Sequence, residues 1–278
     1  MKRKTRSRVG NVLAGIVLFA ASISMLFPFF WMVKTALMPN KVTLNYPPKL
    51  LELPIVIDNF VKVLQSEGMT RSIFNSFFIA IVSTAGVLFF CSIAAYAFSK
   101  IHFRHSGFLF GAIFATMLIP SQILLIPMYV IFAKIHWVDT FLPLIVPQIL
   151  INGYGVFLLR QFMVGIPDSY IEAAKLDGLG HFGIYARIML PLCKPPMITL
   201  GVFTFIGNWN NFFGALIYLD SEKNFTLPLL MNVFRTQYTV EWGTMMAGAT
   251  ITVLPLIVIY LFAQKSFIEG IAMTGVKG

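Results

Sequence analysis

Charge is what this sequence has least of. Only 12% of its 278 residues are Asp, Glu, Lys or Arg, against about 25% in a typical soluble domain. Hydrophobic residues make up 58%, above the roughly 45–50% that goes with a water-facing surface. A surface so poor in charge suits lipid, where uncharged side chains carry no desolvation cost. Cysteine is scarce as well: Cys91 and Cys193 are the only two, and they lack C-x-x-C spacing. Neither a disulfide nor a metal site is expected from them. The motifs of common catalysts are also missing. There is no G-x-S-x-G, no H-E-x-x-H and no G-x-x-x-x-G-K-[ST] phosphate loop. The four histidines, His102, His105, His136 and His181, fall between the apolar runs. No catalytic residue and no cofactor is assigned to the chain.

What the sequence has in quantity is apolar length. A helix needs about 20 mainly apolar residues to cross a bilayer. Six segments qualify: 12–33, 72–98, 107–133, 141–159, 195–219 and 243–263. The expected fold is therefore all-α, a polytopic membrane protein of six transmembrane helices. The basic amino terminus, residues 1–11 with Lys2, Arg3, Lys4, Arg6 and Arg8, resembles the start of a signal peptide. The apolar run behind it is longer than the roughly 7–15 residues of a signal core, so it reads as an uncleaved first span. With that terminus in the cytoplasm, inner segments hold 13 of the Lys and Arg residues and outer segments hold 8. Both termini are then expected inside. The net charge of +10 forms no continuous stripe and reads as topology and lipid attraction rather than nucleic-acid binding.

None of the six spans contains Asp, Glu, Lys, Arg or His. Ion-driven carriers commonly place ionisable groups at depth. Backbone carbonyls alone can hold sodium, so an ion-coupled secondary carrier stays as an alternative. With no ion site and no nucleotide loop, an energy source on another subunit is the expectation.

The informative inner segment is 160–194, above all Ile166-Pro167-Asp168-Ser169-Tyr170-Ile171-Glu172-Ala173-Ala174 and the residues through Pro191. Ser169 with Glu172 three residues later predicts a capping box and a short helix from Tyr170 to about Asp177. Gly178 or Gly180 supplies the left-handed residue that ends it. A second short helix is expected from Phe182 to Leu190, stopped by Pro191 and Pro195. On this physics alone the loop reads equally as a docking element or a connector.

The spacing E-A-A, three residues, Gly, nine residues, Ile-x-Leu-Pro fits residues 172–191 without a gap. With it the chain resembles the permease subunits of bacterial ABC importers, and within them the shorter, maltose-G-type permeases of carbohydrate uptake. Trp209-Asn210-Asn211-Phe212, Thr226-Leu227-Pro228 and the tail from Phe267 to Gly278 carry the likeness further. The resemblance implies a type I importer permease fold, with a loop of 34–70 outside, a core over 71–265, a coupling loop at 166–191 and a cytoplasmic tail at 266–278. It implies that Glu172, Ala173, Ala174, Gly178, Ile188, Leu190 and Pro191 couple the chain to a separate ATPase subunit dimer, which would bind ATP and Mg. A companion permease forming a heterodimer and an extracytoplasmic solute-binding protein are the other implied partners. The outer loop 220–242 corresponds to one directed at the binding protein. A bacterial plasma membrane is the implied location.

For the solute, uncharged polar residues within the spans are the candidates. Ser121, Gln122, Asn152, Asn208, Trp209, Asn210 and Asn211 are the expected translocation path: amides for hydroxyl groups and an indole platform for a sugar. Pro120 and Pro127 bracket Ser121 and Gln122 and predict a kinked third span. The function expected is import of a di- or oligosaccharide, with a different ABC solute as the alternative.

Overall fold

The computed structural model describes residues 2–40, 55–237 and 241–275, and every regular element among them is helical. The chain runs α1 (Lys2–Ala36), α2 (Asp58–Gln65), α3 (Met69–Lys100), α4 (Ser106–Ala115), α5 (Ser121–Lys134), α6 (Leu142–Leu150) and α7 (Gly153–Val164). It continues with α8 (Ser169–Leu176), α9 (His181–Ile184), a π-helical turn at Tyr185–Met189, α10 (Leu190–Leu192), α11 (Lys194–Trp209) and α12 (Phe212–Tyr218). Last come α13 (Leu227–Gln237) and α14 (Trp242–Gly275). Residues 41–54 of the expected outer loop, residues 238–240 and the end of the tail at 276–278 lie outside the described residues.

The apolar runs set the helices, but three of the six expected spans are not single rods. Among the described residues, four stretches are long and apolar enough to cross a membrane: Gly10–Ala36, Met69–Lys100, Leu142–Val164 and Trp242–Gln264. Two bent pairs raise the number to as many as six. The third expected span is one of these, with Ser106–Leu118 and Gln122–Lys134 meeting at 105°. Pro120 causes this bend, because the residue before a proline is driven out of the helical region; Ile119 sits at φ −89°, ψ 117°. Pro127, expected to kink the span too, lies inside α5. The fourth span is interrupted at Ile151 and Asn152, both outside the helical region. The fifth expected span, 195–219, is also not continuous. It breaks at Asn210 and Asn211, and its first half bends by 77° from the His181–Leu192 segment before it. Among the spans from the second to the fifth, only α3 runs unbroken, over 32 residues with no internal proline.

The chain forms two compact units. One joins Met1–Glu67 to Met231–Leu254. There α1 exposes Val12, Leu18, Phe19 and Met25, as a lipid-facing helix should. A polar knot holds its outer side: Asn59 donates to the carbonyls of Ala36 and Met38 at 2.8 Å, Asn40 accepts from the Gly243 amide at 2.7 Å, and Lys62 pairs with Glu241 at 2.5 Å.

The other unit joins Gly68–Leu230 to Pro255–Gly278. Its core has two parts strung along α3. One cluster gathers Val87, Cys91, Ala95, Leu159, Met163, Ile184, Met189 and Leu200 around the end nearest the 166–192 segment. The second gathers Ile79, Phe132, Leu144, Ala215 and Tyr218 toward the opposite end. Cys193 is fully buried in the first cluster, and both cysteines are free. The tail from 266 to 275, expected as a separate segment, continues helix α14.

Candidate functional site

Two features of the larger unit carry the candidate residues: the segment from Ile166 to Leu192, and a half-open cavity lined by the broken spans.

The segment begins where α7 ends. The capping box expected of Ser169 and Glu172 does not form. Helix α8 starts one residue earlier than that pattern requires, with Asp168 at the cap position, and no side chain closes it. The reason lies across the fold: the Asp168 carboxylate accepts from Lys100 at 2.6 Å, and the same ammonium donates to the Ile166 carbonyl at 2.6 Å. Lys100 is almost entirely buried while Asp168 faces solvent. The Lys100 hydrogen bond and charge hold the Asp168 carboxyl below the usual carboxylate range. Gly178, at φ +81°, is the left-handed residue, and Gly180 is not. A Cβ at Gly178 would meet nothing within 4 Å, so the backbone alone demands glycine there.

The second helix of the segment runs past its expected limits. It extends from His181 to Leu192 through the π turn, and the chain turns at Cys193. Pro191 does not stop it: the helix runs one residue further, to Leu192, with Pro191 lying just after the π turn.

The signature residues divide between two faces. Glu172, Ala173, Gly178 and Pro191 are exposed. Ala174 is buried at 3% exposure, and Ile188 and Leu190 pack partly buried against the inner core. Three large apolar side chains missed by the sequence reading stand out beside the exposed set: Tyr170, Leu176 and Phe182, the last two at 89% and 79% exposure. Their signal was their position flanking Gly178, on a helix too short to bury both faces.

The cavity has a volume of about 500 Å³. Gln122, Asn152, Asn208 and Asn211 of the expected path line it. Two expected residues do not. Trp209 is fully buried, stacked on Phe205 at 5.9 Å and edge-on to Phe77 at 4.7 Å. Asn210 is exposed and donates back to the Ile206 carbonyl at 3.0 Å. The side chain of Ser121 lies outside the described residues. Gln148, Tyr154, Phe203 and Phe213 complete the polar and aromatic wall.

Local chemistry explains why amides face this space. Asn152 and Asn211 each begin the second half of a broken span. Their side chains accept from the amides of Gly155 and Gly214, at 2.8 and 3.0 Å. Each thereby caps a helix start that has no water to satisfy it. Gln148 and Asn208 pair reciprocally, at 2.6 and 3.0 Å, and Gln148 also donates to the Ser83 hydroxyl at 3.1 Å. No Asp, Glu, Lys, Arg or His contributes to the wall. Such a space offers hydrogen bonds and aromatic faces without charge. Among the described residues, no group of three or more His, Cys, Asp or Glu is placed to hold a metal ion.

A third polar cluster ties the 134–141 and 219–226 connections together. The Asp139 carboxylate accepts from the Asp220 and Ser221 amides at 3.0 and 2.8 Å, from the Ser221 hydroxyl, and from Asn224 at 3.1 Å. Desolvation raises the carboxyl, but the hydrogen bonds led by Ser221 outweigh it and bring it down to about 2.

Residues 88–272 match the family model described as binding-protein-dependent transport system inner membrane component. The arabinooligosaccharides transport system permease protein AraQ of Halalkalibacterium halodurans is 33% identical over 285 residues, covering 100% of each chain. The probable starch degradation products transport system permease protein AmyC of Thermoanaerobacterium thermosulfurigenes is 32% identical, covering 95% of this chain and 94% of its own. The fold is also that of a chain in a bacterial ABC transporter involved in importing the acidic polysaccharide alginate. The TM-score is 0.81 at 21% identity, over 93% of this chain and 96% of that one.

Proposed function

Because this chain belongs to the binding-protein-dependent transport system inner membrane components, we propose that it is the permease subunit through which an ATP-driven importer moves an oligosaccharide across a bacterial plasma membrane. Relatives that match along nearly the whole chain are named for arabinooligosaccharides and starch degradation products. The charge-free, amide-lined cavity supports a neutral, hydroxyl-rich solute. The path is accordingly assigned to Gln122, Gln148, Asn152, Asn208 and Asn211, without Trp209 or Asn210.

The observation that carries the mechanism is the exposed face of 166–192. Glu172, Ala173 and Gly178 stand in solvent beside Leu176 and Phe182, on a segment whose opposite side is packed into the core. An apolar pair in water at a glycine turn wants a partner surface. The partner is an ATPase subunit dimer, which holds ATP and Mg; this chain supplies the docking face and carries the motion inward. A companion permease completes the channel, and a solute-binding protein delivers the sugar from outside. Both termini of this chain lie in the cytoplasm.

The test is reconstitution of the four components in proteoliposomes. ATP-dependent uptake, stimulated by the binding protein across a panel of neutral oligosaccharides, is expected. Uptake that needs no ATP and collapses with the proton or sodium gradient would overturn the reading in favour of a secondary carrier.

A further inference from the structure

We infer that α3 is the rod through which the cytoplasmic loop and the outer loop sense each other, by polar contacts at both of its ends. This rests on the reading of 166–191 as the ATPase-docking loop.

At the inner end, Ser92, Tyr96 and Lys100 recur every four residues and so form one stripe on the helix. Each holds a different point of the loop. Ser92 meets the Tyr185 hydroxyl at 2.8 Å, and because its own proton goes to the Phe89 carbonyl at 3.0 Å, Tyr185 is the donor. Tyr96 meets His181 Nδ1 at 3.1 Å, with its ring 5.6 Å from that of Tyr185. Lys100 holds Ile166 and Asp168, as described above. Residue numbers rise along α3 as they fall along the loop, so the contacts close like an antiparallel zip.

At the outer end the same helix holds another loop. Asn75 donates to the carbonyls of Lys223 and Phe225, both at 3.0 Å, and the Ser76 hydroxyl accepts from the Leu227 amide at 2.7 Å. Between the two ends, Ser83 meets Gln148 on the cavity wall. Asn75 and Lys100 are about 38 Å apart at 1.5 Å per residue, on a helix with no break and no proline. The neighbouring spans are interrupted, and an interrupted helix absorbs displacement at its break. A continuous one passes it on. A shift of the loop at Tyr185 therefore reaches residues 223–227, and by linkage a partner seated outside biases the loop inside.

The experiment uses the assembled transporter in proteoliposomes and reads two quantities: solute moved per ATP hydrolysed, and the complex's apparent affinity for the binding protein. Tyr185→Phe is expected to lower both by about fivefold or more. Ser92→Ala should do the same, the double variant no worse than either, since one hydrogen bond is shared. Ser92→Thr, which keeps the hydroxyl, should restore both. If Tyr185→Phe fails to assemble, Ser92→Ala gives the same reading. Wild-type values for both quantities in an assembled variant would sink the inference. Gly178→Val separates the two levels. If it uncouples transport while the Ser92 and Tyr185 variants do not, the linkage fails alone. If none of the three has an effect, the docking reading has failed with it.

Discussion

Gly178 and Asp139 show how single residues set conditions that their neighbours cannot. Gly178 occupies φ +81° in open space, so a substitution there meets no clash but a backbone cost of roughly 1–3 kcal/mol. Gly178→Val is expected to abolish binding-protein-driven uptake while the protein stays in the membrane, measured by transport and immunoblot of membrane fractions. Asp139 is the opposite case, a residue held by its contacts. Its carboxyl lies at about 2, below its ordinary 3.8. A group depressed on folding contributes stability above its ordinary value and loses it as pH falls toward the folded one. Thermal unfolding in detergent should therefore show a loss of stability between about pH 4 and pH 2, and Asp139→Asn should flatten that part of the profile.

At the level of elements, the sequence reached the apolar runs, the 172–191 motif and the proline bend of the third span, but not the breaks within the fourth and fifth. Hydropathy averages over a window, and Asn152 or Asn211 scarcely lowers the average of its span. The breaks were still written in the residues: each is an Asn followed three positions later by Gly, Asn152 with Gly155 and Asn211 with Gly214. Trp209 was expected in the cavity as an indole platform for a sugar; its ring instead meets Phe77 and Phe205, buried in the packing between α3 and α11. The capping box failed for a reason no local pattern contains, since Lys100 lies 68 residues before Asp168. Close packing of half-helices was also invisible. A Cβ on Gly153 would come within 2.7 Å of the Ile113 carbonyl oxygen, a backbone atom that cannot swing aside. Gly153→Ala should force α4 and α7 apart and lower stability by about 1–3 kcal/mol, read as a fall in unfolding temperature with the complex still able to bind ATP through its other subunit.

For the whole molecule, the open question of orientation is one of charge placement: 13 basic residues against 8. A reporter active only outside the membrane, fused after residue 278, should be silent; activity there would invert the assignment. The antiparallel zip between α3 and the loop has a further consequence, which concerns length rather than chemistry. Each residue advances a helix by about 100°, so removing or adding one residue between Gly178 and Tyr185 swings Tyr185 a quarter-turn or more away from Ser92. A substitution costs one contact, whereas an insertion or deletion takes the whole stripe out of register. The loop should therefore tolerate changes of identity better than changes of count, and a single-residue deletion at Gly183 should impair uptake more than Tyr185→Phe does. The gap-free spacing from Glu172 to Pro191 is what such a ruler would leave in a sequence.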